Sequence, residues 1–215
     1  MPGEKDYNVM IDCETGGLYE SQHCLLQVAA IIFHIEVHNK LFKLVEDDYY
    51  QSKIKPNKNL GITIGALEIN KLDLDDLIEN GKDECVVYKE LIDFMEKYMG
   101  KDHNYMGRIW AHNDDFDAKF MSQFAKRCKS YSETNIFYPT NWNCTQHFFR
   151  ELKFFGRHSE ESCKLSSIMD YYNIQQAGTE HDAMSDAHNA ILILEAMMNH
   201  LKLGEKVVKM SDCSN

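Results

Sequence analysis

The chain has 215 residues, 44% of them hydrophobic, and a formal net charge of −11, which suits one domain with a sizeable core. The acidic balance argues against tight, sequence-independent binding of duplex nucleic acid, which needs a basic surface. No apolar run approaches the ~20 residues of a membrane span, and the start, MPGEKDY, lacks a signal pattern. Seven cysteines without any CxxC fit a reduced, cytoplasmic chain better than a secreted disulfide scaffold.

In chain order, residues 7–12 and 25–35 read as β-strands. Residues 41–45 and 49–54 read as a third, interrupted at 46–48 and closed by a turn at Lys55–Pro56–Asn57. The links between them are too short for helical crossovers, so these strands are expected to be consecutive and antiparallel. Residues 64–70 and 72–78 are short helices. Residues 83–99 carry Val87, Leu91, Phe94, Met95 and Tyr98 on one stripe, the pattern of an amphipathic helix that Gly100 ends. A buried strand follows at 108–111, a helix at 115–128, a brief strand at 140–144, then helices at 145–154, 164–172 and 182–201. Strands first, then strands and helices in alternation, predict an α/β domain with a mixed central sheet flanked by helices. The last helix is expected to pack across the sheet near its first strand. The expected organisation is one domain over residues 1–202 and a polar tail over 203–215.

The chemistry begins in NVMIDCETGGL, residues 8–18. Asp12 and Glu14 lie two apart on a strand and so point the same way. Paired carboxylates repel each other, and something cationic is needed between them. In HNDDFDAKF, helical register puts Asp117 in line with Met121, Phe124 and Cys128, on the core side. Asp115 aligns with Lys119, Ser122 and Lys126, on the water side, and Asn113 or Asp114 is left to cap the helix. In HDAMSDAHN, Asp186 shares a stripe with Ala183, Ala190, Ile193 and Met197. Ser185, His188, Glu195 and Asn199 mark the wet face. Asp182 can cap, and His181 stands at the helix entry. Inward acids in helices need partners. For Asp117 a plain buried acid bonded to its neighbours remains the alternative, and for His181 a surface or capping histidine.

Together DCETGGL, HNDDFD and HDAMSD resemble, in order and separation, the three motifs of the DnaQ-like DEDDh exonuclease family. That family includes the proofreading subunit of bacterial DNA polymerase III, oligoribonuclease and ribonuclease T. Residues 26–29, 54–56 and 66–70 also resemble family segments. Two positions depart from the pattern: Cys13, expected to face away from the site, and Cys144–Thr145, where the family often has Asp–Thr. The resemblance implies a ribonuclease-H-like exonuclease fold and 3′-to-5′ hydrolysis at the end of a single strand, DNA favoured, releasing nucleoside 5′-monophosphates. It implies two Mg²⁺ ions, with Mn²⁺ able to substitute, clamping the attacking and leaving oxygens. Asp12 would bridge both ions. Glu14 and Asp186 would hold the ion that carries the attacking water, Asp117 would serve the other mainly through its bound ligands, and His181 would act as general base. Thr15, Gly16, Gly17 and Leu18 would seat the 3′-terminal nucleotide, the glycines letting the strand approach closely. Asn113 would orient the site, and Phe116 would pack under it.

The sequence leaves an RNA-directed exonuclease of the same family as the alternative, then a non-catalytic nucleic-acid-binding or polymerase-associated module. A polymerase or a second copy of the chain are its further candidate partners. Cys144 and His147, with His158 and Cys163, have loose zinc-site spacing. Tyr131, Phe137, Tyr138, Trp142, Phe148, Phe149, Phe154 and Phe155 form an aromatic-rich stretch that can stack bases, although most are expected in the core.

Overall fold

The computed structural model describes residues 5–101, 107–129 and 135–203. Among them no helix is long and apolar enough to cross a membrane. Three antiparallel strands, β1 (Tyr7–Thr15), β2 (Leu25–His38) and β3 (Leu41–Lys53), are joined by two parallel ones, β4 (Ile109–Ala111) and β5 (Trp142–Cys144), in the order β3-β2-β1-β4-β5. The mixed α/β sheet is as the sequence predicts. β3 is continuous where an interruption was expected. The pairing instead shifts register, Ile32 facing Asp48 and Phe33 facing Glu46, so Asp47 is the extra residue of a bulge. That residue is tied to His34 and Lys5.

Seven α-helices, α1 (Ile64–Asn70), α2 (Leu74–Asn80), α3 (Glu84–Met99), α4 (Asp114–Cys128), α5 (Thr145–Phe154), α6 (Leu165–Tyr172) and α7 (Ala183–Leu203), and a 3-10 turn at Pro139–Asn141, where the start of the last strand was expected, complete the described chain. Capping sets several of their starts. Thr63 accepts from the Ala66 N–H, Asp73 from Asp75 and Asp76, and Asp83 from Cys85. The Asp73 cap explains why α2 begins two residues later than its apolar pattern suggested. α7 runs to Leu203, one residue beyond the expected domain end. The rest of the expected tail, residues 204–215, lies outside the described residues.

Alternation along β1 splits the core into two layers. Val9, Ile11 and Cys13 pack against α3 and α4 through Val87, Leu91, Met121 and Phe124. Met10 packs on the other face with Ile31, Phe33 and Leu44 against α5, α6 and α7. Asp12 and Glu14 share Met10's face by strand period, and Asp186 approaches from α7 on that side. Two helix faces are drier than their patterns suggest. Ser122 is buried, accepting from Asn135 Nδ2 at 3.0 Å, because residues 135–137 cover that side of α4. On α7, Glu195 accepts the Leu44 N–H at 2.8 Å, and Asn199 both accepts from and donates to Phe42's backbone. Its polar stripe therefore pairs the outer edge of β3, which would otherwise stay open to another strand.

Candidate active site

β4 pairs with β1 only at Val9 and Met10. Beyond that point the edge of β1 is open, and the first turn of α4 fills the gap. Asp117 is buried there and held by hydrogen bonds from the Cys13 backbone and side chain. Cys13 packs into the core on the other face of β1 from Asp12 and Glu14, yet it bonds the third acid and lines the same cavity, so it does not face away from the site as expected. On the opposite strand, small Ala29 stands across from Asp12 and Gln27 across from Glu14.

The His181 backbone lies in the left-handed region, φ 62, and its N–H donates to Asp186 Oδ2 at 3.1 Å. Such a conformation costs a non-glycine residue roughly 1–2 kcal/mol, and the anchor to Asp186 holds it. Asp182 caps α7 by accepting from Ser185, and it also receives Gln51 at 3.0 Å and Gln27 at 3.4 Å. Gln27 in turn accepts the Ala183 N–H. The loop bearing His181 is thereby fastened to β2 and β3.

These elements converge on one cavity of about 710 Å³. Asp12, Glu14, Asp117, Asp186 and His181 all line it, and so do Thr15, Gly17, Leu18, Asn113 and Phe116. Donor atoms of Glu14, His181 and Asp186 come within 4.8 Å of one another. Asn113 stands at the cap position of α4 without a side-chain cap bond. Phe116 both lines the cavity and leans on Phe120, ring centres 4.9 Å apart. Leu18 projects from the rim, 75% exposed.

Gly16 is the exception, since it does not reach the cavity. A Cβ on it would stand 2.8 Å from the Gly61 carbonyl oxygen, and one on Gly17 would strike the His23 ring. These glycines therefore admit the protein's own 61–62 loop and His23, whereas the sequence had suggested they make room for a ligand strand. The Thr15 hydroxyl donates to Gly17 O at 2.7 Å, and Asn70 donates to Thr15 O at 3.1 Å.

Sequence reasoning missed α1 as a wall of the site: Thr63, Gly65, Ala66, Ile69 and Asn70 line the cavity. Its signal was the exposed apolar pair Ile64 and Ile69 on a short helix. Also missed were Gln146, Lys164 and His112. The His112 Nε2–H donates to Cys163 O at 3.1 Å, Nδ1 faces the Thr145 hydroxyl at 2.9 Å, and burial brings its pKa down to about 4.

The four-residue zinc reading does not hold. His158 stacks on Phe149 at 3.8 Å and donates to its carbonyl, and Cys163 packs against the core on the α7 side of the sheet. Of the aromatic stretch, Phe137, Trp142 and Phe149 are buried, Tyr138, Phe154 and Phe155 are exposed, and none lines the cavity. Tyr131 lies outside the described residues.

Electrostatics define the site. Burial first, then the neighbouring carboxylates, raises Asp12 well above the usual carboxylate range, and the same causes push Glu14 up to about 8. Burial raises Asp117 to about 8 against the hydrogen bonds from Cys13, and it raises Asp186 as well. Neither lysine nor arginine is among the leading influences on any of the four, and Asp186 Oδ1 is buried without a hydrogen bond. Oxygen donors short of positive charge suit a hard divalent cation.

The ion-free protein should accordingly lose stability as pH rises. Acids whose folded pKa is raised stabilise fully below their unfolded values, near 4, and that contribution is lost as pH climbs through about 8. In chelator, the melting temperature is expected to fall between about pH 5 and pH 9. Asp117→Asn is expected to flatten that slope and raise the pH 8 value by roughly 5 °C, at ~2–4 °C per kcal/mol for a chain this size. A melting temperature that rises over this range in the wild type would contradict the assignment.

The exonuclease family model RNase_T matches residues 9–194. Ribonuclease T of Histophilus somni is 27% identical over 197 residues, spanning 91% of this chain and 85% of its own length. Ribonuclease T of Haemophilus influenzae strain 86-028NP is 25% identical over 196 residues, with 91% and 81% covered. Among solved structures, the nuclease domain of 3′hExo, described as a DEDDh family member bound to rAMP, aligns with TM-score 0.67 at 17% identity, covering 95% of this chain and 96% of that one. Cell-death related nuclease 4 gives 0.70 at 17% identity, with 94% and 65% covered. E. coli exonuclease I in complex with a dT13 oligonucleotide gives 0.69 at 15% identity, with 93% and 42% covered. The chain thus spans about two thirds of the former nuclease and under half of the latter.

Proposed function

We propose that this chain, which belongs to the DnaQ-like DEDDh family of 3′-5′ exonucleases, hydrolyses single-stranded nucleic acid from its 3′ end and releases nucleoside 5′-monophosphates. The observation that carries this reading is the convergence of Asp12, Glu14, Asp117, Asp186 and His181 in one cavity. Enzymes of this family use divalent metal ions. Here two Mg²⁺, or Mn²⁺ in their place, would be held by Asp12, Glu14 and Asp186, with Asp117 completing the set. When bound, the ions supply Lewis-acid neutralisation of charge on the attacking and leaving oxygens.

The remaining chemistry belongs to the protein. The His181 ring, beside Glu14 and Asp186, takes the proton of the attacking water, a task suited to an imidazole near neutral pH. Its loop is kept in place through Asp182, Gln27 and Gln51. Leu18 and Ile69 flank the terminal base from the rim. Thr15 and the Gly17 backbone meet its sugar, Asn113 and Phe116 support the opposite side, and Lys164 faces the incoming phosphates. Gly16 acts only by shaping the loop. The free thiols and odd cysteine count support a reducing, intracellular setting.

A DNA preference is part of this proposal. Preference for RNA is the second reading, favoured by the name Ribonuclease T that the sequence relatives carry. Matched 5′-labelled single-stranded DNA and RNA, incubated with Mg²⁺ and with Mn²⁺, test both. The expected result is a ladder shortening from the 3′ end, with the DNA faster. A faster RNA ladder would overturn the sugar preference alone. Shortening from the 5′ end, or no cleavage of either strand with Mn²⁺, would overturn the activity.

A further inference from the structure

Asp114 was one of two candidates to cap α4, and it does not, since Asn113 takes the cap position. Its Oδ1 is buried with no nitrogen or oxygen partner, its carboxyl meets the Cys144 thiol, and His147 Nδ1 stands 3.8 Å from Oδ1. Cys144 caps α5: its Sγ accepts the His147 N–H at 3.4 Å and lies 3.3 Å from the His112 carbonyl oxygen. The i, i+3 spacing at the start of α5 sets His147 beside Cys144, and the parallel pairing of β4 with β5 brings Cys144 level with Ala111, so that α4 and α5 start side by side. One oxygen, one sulfur and one ring nitrogen thereby come within 4.8 Å of one another. None of the three residues lines the cavity that holds Asp12.

We propose that Asp114, Cys144 and His147 form a second metal site, separate from the four-acid cluster, which takes a borderline-soft divalent ion such as Zn²⁺ with water in the fourth position. The donor set selects the ion. A thiolate and an imidazole with a carboxylate suit zinc and its transition-metal neighbours, whereas Mg²⁺ takes oxygen alone. Donors ~2.0–2.3 Å from one tetrahedral ion stand roughly 3.3–3.8 Å apart, so the present spacing closes with a small turn of the half-exposed His147 side chain. Burial holds the Cys144 thiol up at about 11. Binding forms a sulfur–metal bond and breaks the S–H bond, and the proton passes to bulk water. The helix N-terminus behind Cys144 favours the thiolate that results. The ion would clip the start of α5 to the first turn of α4, three residues before Asp117.

Cobalt makes the site visible. The full chain is stripped with chelator, supplied with excess Mg²⁺ to fill the acid cluster, and titrated with Co²⁺. A thiolate-to-cobalt charge-transfer band is expected to grow to one ion per chain and to disappear when Zn²⁺ is added. Cys144→Ser should abolish the band, and Asp12→Asn should keep it. His147→Ala and Asp114→Asn should weaken Co²⁺ binding on the order of tenfold or more. His147 lies on the surface, so its variant is informative even if Cys144→Ser folds poorly. Absence of the band in the wild type, its survival in Cys144→Ser, or unchanged affinity in His147→Ala would overturn the proposal.

Discussion

Asp12→Ala is expected to abolish hydrolysis of a 3′-labelled single strand, by on the order of 10³-fold or more, in a chain that still folds. Asp12 is the acid on which all the others act: Asp117, Glu14 and Asp186 each raise its pKa on top of burial. A residue placed among three carboxylates that each raise its pKa adds repulsion to the ion-free fold. Its removal should therefore leave the far-ultraviolet circular dichroism unchanged and raise the melting temperature in chelator. A purely structural acid would behave in the opposite way, with a lower melting temperature and activity falling only in step with the folded fraction. Turnover within a few-fold of wild type would refute the role proposed for Asp12. Isothermal titration with Mn²⁺ adds a separate reading, because the variant should lose heat and stoichiometry at the acid cluster while Glu14 and Asp186 remain.

The site was legible in the sequence where periodicity forces a direction. Strand alternation alone put Asp12 and Glu14 on one face. Helical register picked Asp117 from three neighbouring aspartates and Asp186 from two, and in each case the chosen acid lines the cavity. What stayed hidden depends on contacts between distant segments. Nothing local in Ser122, Glu195 or Asn199 tells that a loop or a strand edge will cover them. Gly16 and Gly17 announce a tight place without saying what presses on it, and the answer was His23 and the Gly61 carbonyl. The zinc reading failed for the same reason. Spacing along the chain grouped Cys144 and His147 with His158 and Cys163, but the parallel β4–β5 pairing gave them Asp114.

His181→Ala is expected to lower kcat by ~10²–10⁴-fold, the usual contribution of a general base, with KM changed little. The geometry separates these effects. What joins His181 to Asp186 is its backbone N–H, 3.1 Å from Oδ2, and alanine keeps that bond. The loop is further fastened by Asp182 to Gln27 and Gln51, so losing the ring should spare the anchor. The left-handed φ of 62 strains alanine, whereas asparagine adopts that conformation more readily. His181→Asn should therefore be the more stable of the two variants and equally slow, because its amide cannot accept the proton. Added imidazole should restore part of the alanine variant's turnover, and with it a rate that rises as imidazole is deprotonated. A loss confined to KM, or an asparagine variant that regains wild-type turnover, would make His181 a positioning residue instead.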